Sequence, residues 1–290
     1  MQPEPLVARS FSPEFAADIP RHWLPGNQFV SCFLNAYTVL VPANESFYIR
    51  TFKQCMPLID DADLRAVAVD FVRQEAQHGI AHKRYWANLE AQGYRFRGFE
   101  RTVEQLTFRV IERTMPLSLR IALVSCVEHI NACLAHDFLL QRILVDADPR
   151  MRALMEWHFA EEIEHKAVSF DVLLAVAPGY AVRALGLAVT APLFYLVTTL
   201  GTLNLLAQDG LLFKGRTWLQ IWRYLGPGNH MASRTLRNLL RYLRPGFHPG
   251  QFDDKTLAGD VINRQTRAAP PSIVRREPRS SRAAESVARP

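Results

Sequence analysis

Two Glu-x-x-His pairs are the residues of this sequence whose spacing most suggests chemistry: Glu75 with His78, and Glu162 with His165. Residues three apart on a helix project from one face, so each pair can direct a carboxylate and an imidazole at the same point. Mixed carboxylate and imidazole ligands suit iron or manganese, and zinc also accepts them. The two pairs therefore predict a metal site.

A glutamate in an apolar setting precedes each pair: Glu45 stands before Glu75, and Glu128 before Glu162. A buried, ionised carboxylate costs several kcal/mol unless it is paired or bound to metal. The order Glu, Glu-x-x-His, Glu, Glu-x-x-His is typical of helical bundles that hold two metal ions on carboxylates from four helices. A buried polar network without metal is the alternative.

His158 lies four residues before Glu162 and so shares the helix face of Glu162 and His165; Phe71 stands at the matching position in the first half. We predict that His158 is an additional nitrogen ligand, with a supporting or core histidine as the alternative. His82 is predicted to support the site without binding metal. The predicted ligands are Glu45, Glu75, His78, Glu128, His158, Glu162 and His165. Three neighbours are predicted to point away from them: Glu161 (as a solvated group or a hydrogen-bond partner), Glu164 and His129.

Helices must position these residues, because no alternation of period two appears along the chain. Pro42 and Pro149, together with Gly93, are the main helix boundaries in the sequence. The fold class is therefore all-α, with long antiparallel helices joined by short turns. The predicted helices cover 27–40, 44–55 with Asn44 as a cap, 61–93, 99–113, 116–148, and 149 to just before 178.

The chain divides by composition into an extended N-terminal segment (1–25), a metal-binding helical bundle (26–178), an apolar helical part of the same domain (179–263) and a basic tail (264–290). The tail is rich in Pro, Ser, Ala and Arg, and we predict that it is disordered. Residues 184–207 carry no charge over 24 positions. That segment suits one or two buried helices or a dimer surface, and also a membrane-inserted hairpin or a true span.

The net charge of +6 is concentrated in the tail, where seven Arg and two Glu give 7 − 2 = +5 and leave about +1 for the other 263 residues. This distribution argues against a nucleic-acid partner. Four scattered cysteines without a CxxC pair, and an N-terminus without an apolar run, favour a reduced cytoplasmic protein. Peripheral membrane association and a homodimer are both compatible with the sequence.

The chain from about Leu6 to Pro249 resembles a bacterial family described as predicted metal-dependent hydrolases. The resemblance rests on "VARSFSPEFAADIPRHW", "FLNAYTVLVPANESFYI", "FVRQEAQHGIAHKRY", "VEHINACLA", "WHFAEEIEHKAVSFDV" and "RPGFHP". The ligand pattern also resembles that of ferritin-like di-iron carboxylate proteins, which implies a ferritin-like four-helix bundle with additional C-terminal helices. Among those proteins the arylamine N-oxygenases carry an extra histidine where His158 stands.

Two reactions follow from these resemblances. The first, which we favour from the sequence, is an O2-activating oxidase or oxygenase with two iron ions, a small or lipid-like substrate and an electron donor. The second is a metal-dependent hydrolase in which a metal-bridged hydroxide attacks an ester or phosphoester. A non-enzymatic metal store or scaffold is a third class.

Overall fold

The computed structural model describes residues 6–7, 9–11, 15, 18–226, 228–268 and 274–276. The fold is all-α, as predicted, with a short antiparallel ribbon of β1 (Arg9–Phe11) and β2 (Val274–Arg276) in which Arg9 pairs with Arg276. The helices are α1 (Gln28–Cys55), α2 (Ala62–Ala91), α3 (Arg97–Gln105), α4 (Glu112–Thr114), α5 (Leu117–Leu140), α6 (Pro149–Val176), α7 (Tyr180–Gln208), α8 (Gly215–Leu225), α9 (Met231–Tyr242) and α10 (Lys255–Ala268).

Helix α1 runs without a break through Pro42, so the prediction of two helices separated there, the second capped by Asn44, was wrong. Proline lacks the N–H that would bond to the carbonyl of Thr38 one turn earlier. The indole Nε1 of Trp86 on α2 donates to that carbonyl at 3.2 Å. Because the carbonyl keeps a partner, the helix continues past the proline.

The predicted ends of α2 and α6 agree with the structure, whereas two other predicted helices are shorter or interrupted. Helix α2 begins after Asp61, whose side chain caps it, and ends before Gly93, which has a φ of +83°. Helix α6 begins at Pro149 and ends before residue 178, as predicted. The helix predicted for 116–148 ends earlier, at Leu140, because Arg142 adopts a left-handed φ of +52°. The helix predicted for 99–113 is interrupted by a π-helical stretch at Leu106–Ile111.

Helices α1 and α2 form an antiparallel hairpin. Thr38 of α1 contacts His82 of α2, whereas Phe52, further along α1, stacks on Phe71, earlier in α2. The α5–α6 hairpin has the same form, since Phe138 packs on Phe159 while Glu128 lies beside His165. Helix α1 also contacts α5, and α2 contacts α6, so these four helices surround a common interior.

Helices α2 and α6 are antiparallel as well, because Phe71 packs on His165 while His82 contacts His158. Helix α6 therefore runs opposite to both α2 and α5, and α2 and α5 run in the same direction. The connection 92–116, which contains α3, α4 and the π-helical stretch, must return along the bundle to join them. The family relationship to ferritin-like proteins stays a prediction.

The uncharged segment 184–207 lies within the single helix α7, which packs on α1 and α5 and so does not form a hairpin. Helices α5 and α7 are long and apolar enough to cross a membrane. The most apolar window of α5 is 61% buried inside the protein, whereas that of α7 is 33% buried. By this measure α5 is a core helix, and α7 leaves much of its apolar surface uncovered.

The two chain ends meet in the β1–β2 ribbon. Helix α10 continues to Ala268, inside the segment 264–290 that we predicted to be disordered, and residues 274–276 form β2. The rest of that segment, and most of residues 1–17, lie outside the described residues. Disorder of the tail and the extended form of the N-terminal segment stay predictions.

Candidate metal centre

All seven predicted ligands lie in the interior between α1, α2, α5 and α6, and each is at most 3% exposed. Helix α1 contributes one carboxylate, α2 a Glu-x-x-His pair, α5 one carboxylate, and α6 a histidine followed by the second Glu-x-x-His pair. The buried residues are Glu45, Glu75, His78, Glu128, His158, Glu162 and His165. Their role as metal ligands stays a prediction, but the fold brings every one of them into a single cluster.

The first group within the cluster is formed by Glu45, His78, His158 and Glu162. Each of these residues offers one ligand atom, and the four atoms lie within 4.8 Å of one another. The Nδ1 of His78 is 3.4 Å from a carboxylate oxygen of Glu45, and the Nε2 of His158 is 3.0 Å from Glu162. Two carboxylates and two imidazoles converging in this way could hold one metal ion.

The second group is formed by Glu75, His78, Glu162 and His165, again with four ligand atoms within 4.8 Å of one another. The Nδ1 of His165 lies 2.8 Å from Glu75 and 3.4 Å from the Oε2 of Glu128. His78 and Glu162 belong to both groups, so the two groups adjoin. Glu162 is therefore placed to serve either group or to lie between them.

Nine buried atoms of this cluster make no hydrogen bond of regular geometry, and where they approach another polar atom, as the Nδ1 of His165 approaches Glu75 and Glu128, they approach one another. They comprise both carboxylate oxygens of Glu45, Glu75 and Glu128, one oxygen of Glu162, and the Nδ1 atoms of His78 and His165. Buried polar atoms without partners are rare, because each costs about 1–3 kcal/mol or more when it is charged. The unpartnered atoms all belong to groups that bind cations, so the residues fit a metal site.

The opposite nitrogens of the same two histidines are well held. The Nε2 of His78 lies 3.0 Å from Glu161, and the Nε2 of His165 lies 2.9 Å from the amide oxygen of Gln74. Arg9 of β1 in turn binds Glu161 at 3.0 Å. Each imidazole is thus oriented through Nε2 and presents Nδ1 to the interior, as is usual for metal-bound histidines.

His158 is held differently, through a chain of histidine and threonine. Its Nδ1 is 3.2 Å from the Nε2 of His82, whose Nδ1 is 3.2 Å from the hydroxyl of Thr38. The ring of His82 satisfies both contacts when its hydrogen is on Nδ1, because it then donates to Thr38 and accepts at Nε2 from the Nδ1 of His158, whose other nitrogen is Nε2. That atom faces Glu162 and also the hydroxyl of Tyr37, 2.9 Å away.

The electrostatics of the carboxylates are unequal. Burial, followed by repulsion from neighbouring carboxylates, raises the pKa of Glu45, Glu75 and Glu128 well above the ordinary value. Burial acts in the same direction on Glu162, but the hydrogen bond and charge of His158, with help from His165, lower its pKa to about 2. Without a cation, Glu162 is the carboxylate of the four that keeps its charge.

The pKa values of two of the imidazoles are shifted in opposite directions. Burial, with the other histidines nearby, lowers the pKa of His78, so this ring is neutral at physiological pH. Burial opposes protonation of His165 too, but the adjacent carboxylate of Glu128 outweighs it and raises the pKa of His165. Metal binding requires both rings to be unprotonated and is therefore linked to proton release.

Three neighbours were assigned to other positions by sequence reasoning, with mixed success. Glu161 is fully buried and binds His78, so solvation was wrong and the hydrogen-bond role is confirmed. His129 points away, as predicted, towards the carbonyl of Asn238 on α9. Glu164 also projects off the ligand face, where Arg9 binds it. Sequence reasoning missed the roles of Gln74 and Arg9. Gln74 stands outside the Glu-x-x-His spacing, and Arg9 lies 152 positions before Glu161, so no local pattern links either residue to the site.

A second cluster, formed by His22, Cys32 and Asp209, has ligand-like geometry but a different chemical state. The carboxylate of Asp209 accepts from Arg21, at 2.6 Å, and from the hydroxyl of Tyr94, also at 2.6 Å. Burial raises the pKa of the Cys32 thiol beyond the physiological range. Because its carboxylate is already satisfied and its thiol stays protonated, this cluster ties the chain together and does not resemble a metal centre.

A model of the family described as predicted metal-dependent hydrolase matches residues 7–253, which include all seven predicted ligands. The chain belongs to this family. Comparisons with curated proteins and with solved structures gave no match. Metal dependence, as the family description states it, agrees with the buried His/Glu groups described above.

Apolar cavities approach the centre from the side of α7. A narrow cavity of about 10 Å³ touches Glu45, His158 and Phe194. Phe194 also lines a cavity of about 80 Å³ beside the π-helical stretch and a larger one of about 590 Å³ between α5, α7, α8 and α9. Phe194 therefore separates the metal centre from the larger, mainly apolar spaces in this member of the family.

Proposed function

We propose that this chain is a dinuclear metal-dependent hydrolase that acts on an ester or phosphoester with an apolar, lipid-like portion. The observation that carries the proposal is the set of nine buried, cation-binding atoms without a regular hydrogen bond, of which seven belong to the two adjoining groups and two to Glu128. The family description supports hydrolysis as the reaction. The apolar cavities that meet at Phe194 support an apolar substrate.

Under this proposal Glu45, His78 and His158 would hold one ion, Glu75, Glu128 and His165 would hold the other, and Glu162 would contribute to either. A bound metal pair supplies Lewis-acid polarisation of a substrate oxygen and lowers the pKa of water. The ions are iron, manganese or zinc, because mixed oxygen and nitrogen donors suit all three.

The protein's own residues contribute orientation and protons. Glu161 and Gln74 fix the rings of His78 and His165 so that their Nδ1 atoms stay directed inward. Burial raises the pKa of Tyr37 and Tyr48, so both hydroxyls stay protonated. Both tyrosines line the narrow cavity, where a protonated hydroxyl can donate a hydrogen bond to a substrate oxygen.

Oxygen activation with two iron ions is the second candidate, and one observation favours it. The cavity of about 10 Å³ beside His158 has room for a molecule of about the size of water or dioxygen, whereas an ester group needs Phe194 or Tyr48 to move. Such a reaction would use the same ligands and would require an electron donor.

One set of measurements separates the two candidates. The protein is loaded separately with zinc, manganese and ferrous iron, its metal content per chain is measured, and p-nitrophenyl esters and bis-p-nitrophenyl phosphate are offered as substrates. Anaerobically reduced protein is then mixed with O2 and its oxygen uptake recorded. We expect two ions per chain and ester turnover that is lost in Glu162→Gln but kept in Glu104→Gln, an exposed glutamate of α3.

Two outcomes would contradict the proposal. Stoichiometric oxygen uptake by the iron form, with no turnover of any ester, would transfer the assignment to the oxidase. Unchanged metal content in Glu162→Gln would show that the shared carboxylate of both groups is not a ligand.

A further inference from the structure

The charge of the chain is strongly segregated in a region outside the metal centre. Between Asp209 and Asp253 the sequence holds seven Lys or Arg residues and no Asp or Glu. This region, 210–252, contains α8 and α9. Its charge of +7 is concealed in the whole-chain value, because acidic residues elsewhere balance it.

Large apolar side chains lie exposed in the same region. Trp218 is 52% exposed and Trp222 64% exposed, and with Leu225 they form a stripe along one side of α8 at spacings of four and three residues. Phe213, just before the helix, is 93% exposed. Contiguous exposed aromatic and aliphatic groups of this kind usually mark a surface that binds a protein or a membrane.

Helix α9 adds a second apolar side, with Leu236 and Leu240 both more than half exposed. The two helices are neighbours, because Trp218 and Leu225 of α8 and Leu236 of α9 line the same cavity of about 590 Å³, and all three side chains are also partly exposed. We call this combined surface of exposed apolar side chains on α8 and α9, with Phe213, the α8–α9 face.

The same region also carries exposed cations. Arg216 and Arg223 are exposed together on another side of α8, about 100° or more around the helix axis from the Trp218–Trp222 stripe, and Lys214 and Arg237 are also exposed. None of these four makes an ion pair with a described residue, whereas Arg234 of α9 is paired with Asp137. Amphipathic helices with Trp and Leu on one side and Lys or Arg on the other are typical of proteins that lie in the interfacial region of anionic membranes.

We propose that the α8–α9 face docks onto a membrane of anionic phospholipid. The exposed leucines beside the tryptophans favour this partner over nucleic acid, because bases stack on aromatic rings but not on aliphatic side chains such as Leu225, Leu236 and Leu240. The charge favours it over a second copy, because a two-fold contact through this face would bring two regions of charge +7 together. The uncovered apolar surface of α7 adjoins the α8–α9 face, because Tyr195 and Thr199 of α7 line the same cavity as Trp218 and Leu236. The docking proposal does not depend on which reaction the metal centre performs.

The test uses the full-length protein and two vesicle compositions, pure phosphatidylcholine and phosphatidylcholine with 30% phosphatidylserine. We expect sedimentation with the anionic vesicles, much weaker sedimentation with the neutral ones, and release by salt. Brominated lipid should quench the tryptophan fluorescence of the bound protein. Trp23, Trp86 and Trp157 are buried, so quenching reports on Trp218 and Trp222.

Three variants sharpen the test. The Arg216→Glu/Arg223→Glu variant should bind anionic vesicles at least on the order of 30-fold more weakly, since each basic residue at an anionic surface is worth about a factor of five. Trp222→Ala, which does not line the cavity, should weaken binding without changing the melting temperature. Arg101→Glu, an exposed position on α3, is the matched control and should bind like the wild type.

Three results would overturn the proposal. Equal binding to neutral and anionic vesicles would remove the electrostatic argument. Wild-type binding by the Arg216→Glu/Arg223→Glu variant would place any membrane contact elsewhere, for example in the basic tail. A dimer in solution that Trp222→Ala dissociates would make the α8–α9 face a contact between two copies.

Discussion

Replacing Glu128 with glutamine should change stability in opposite directions with and without metal. Glutamine has nearly the same shape but carries no charge. In the metal-free protein, burial and the nearby Glu162 and Glu75 raise the pKa of Glu128, so an ionised carboxylate here opposes folding. With metal bound, the same carboxylate is a ligand, and its loss weakens binding.

The stabilisation that Glu128→Gln can give to the metal-free protein has an upper limit. An unfolded glutamate titrates near pH 4.3, and each pH unit above this costs about 1.36 kcal/mol if the folded group must stay protonated. At pH 7 the limit is about 2.7 × 1.36, or roughly 3.7 kcal/mol. We expect Glu128→Gln to raise the stability of the metal-free protein by about 1–3 kcal/mol, or several degrees in Tm.

The pH dependence gives a second reading of the same effect. Because its folded pKa is raised, the protonated Glu128 contributes stability that is present below the unfolded pKa and is lost as pH rises towards the folded value. The metal-free wild type should therefore lose stability between pH 5 and 7.5, and Glu128→Gln should lose less. Calorimetry of chelator-treated and metal-loaded protein at both pH values measures each quantity, with Glu104→Gln as control. Equal destabilisation of both forms by Glu128→Gln would refute the reasoning and make Glu128 a structural partner of His165.

Two further predictions test the neighbourhood of the site. A Cβ on Gly79 would lie 3.1 Å from the Oε2 of Glu45, so Gly79→Ala should lower the metal affinity measured in a metal titration. The same change should stabilise the metal-free protein by up to about 1 kcal/mol, because alanine favours a helix over glycine, and so raise its Tm. Gly98→Ala, with open space around it, should change only the Tm, and equal metal affinities for the two variants would contradict this prediction. Trp86→Phe should lower the free energy of unfolding by about 1 kcal/mol, because the indole no longer donates to the carbonyl of Thr38 that Pro42 leaves free. The loss, measured by denaturant unfolding, should be smaller in the Pro42→Ala background, where a backbone N–H can replace the indole. An equal loss in both backgrounds would show that the effect comes from packing.

The sequence predicted the members of the cluster better than the elements that carry them. Helical spacing placed Glu75 beside His78 and Glu162 beside His165, because the period of a helix is local information. Pro42 misled the prediction since the compensating donor, Trp86, is 44 residues away. A local rule about proline cannot include a hydrogen bond that forms only after two helices pack.

The supporting residues and the basic region were missed for different reasons. Gln74 and Arg9 act through contacts across the bundle, and no spacing rule connects them to the histidines that they position. The region 210–252 was readable from sequence, but a single net charge for residues 1–263 averaged it away. Charge in sliding segments would have revealed it, whereas exposure of Trp222 needed the structure.

The metal centre takes atoms from both hairpins: His78 belongs to α1–α2, whereas His158, Glu162 and His165 belong to α5–α6. An ion shared between them would act on the chain as a cross-link between positions 80 or more residues apart, comparable in its effect on loop entropy to a disulfide that closes a long loop. Neither hairpin alone contains a complete group of four ligands. A complete group exists only once α6 has been synthesised, and loss of an ion held there would loosen one half of the bundle from the other.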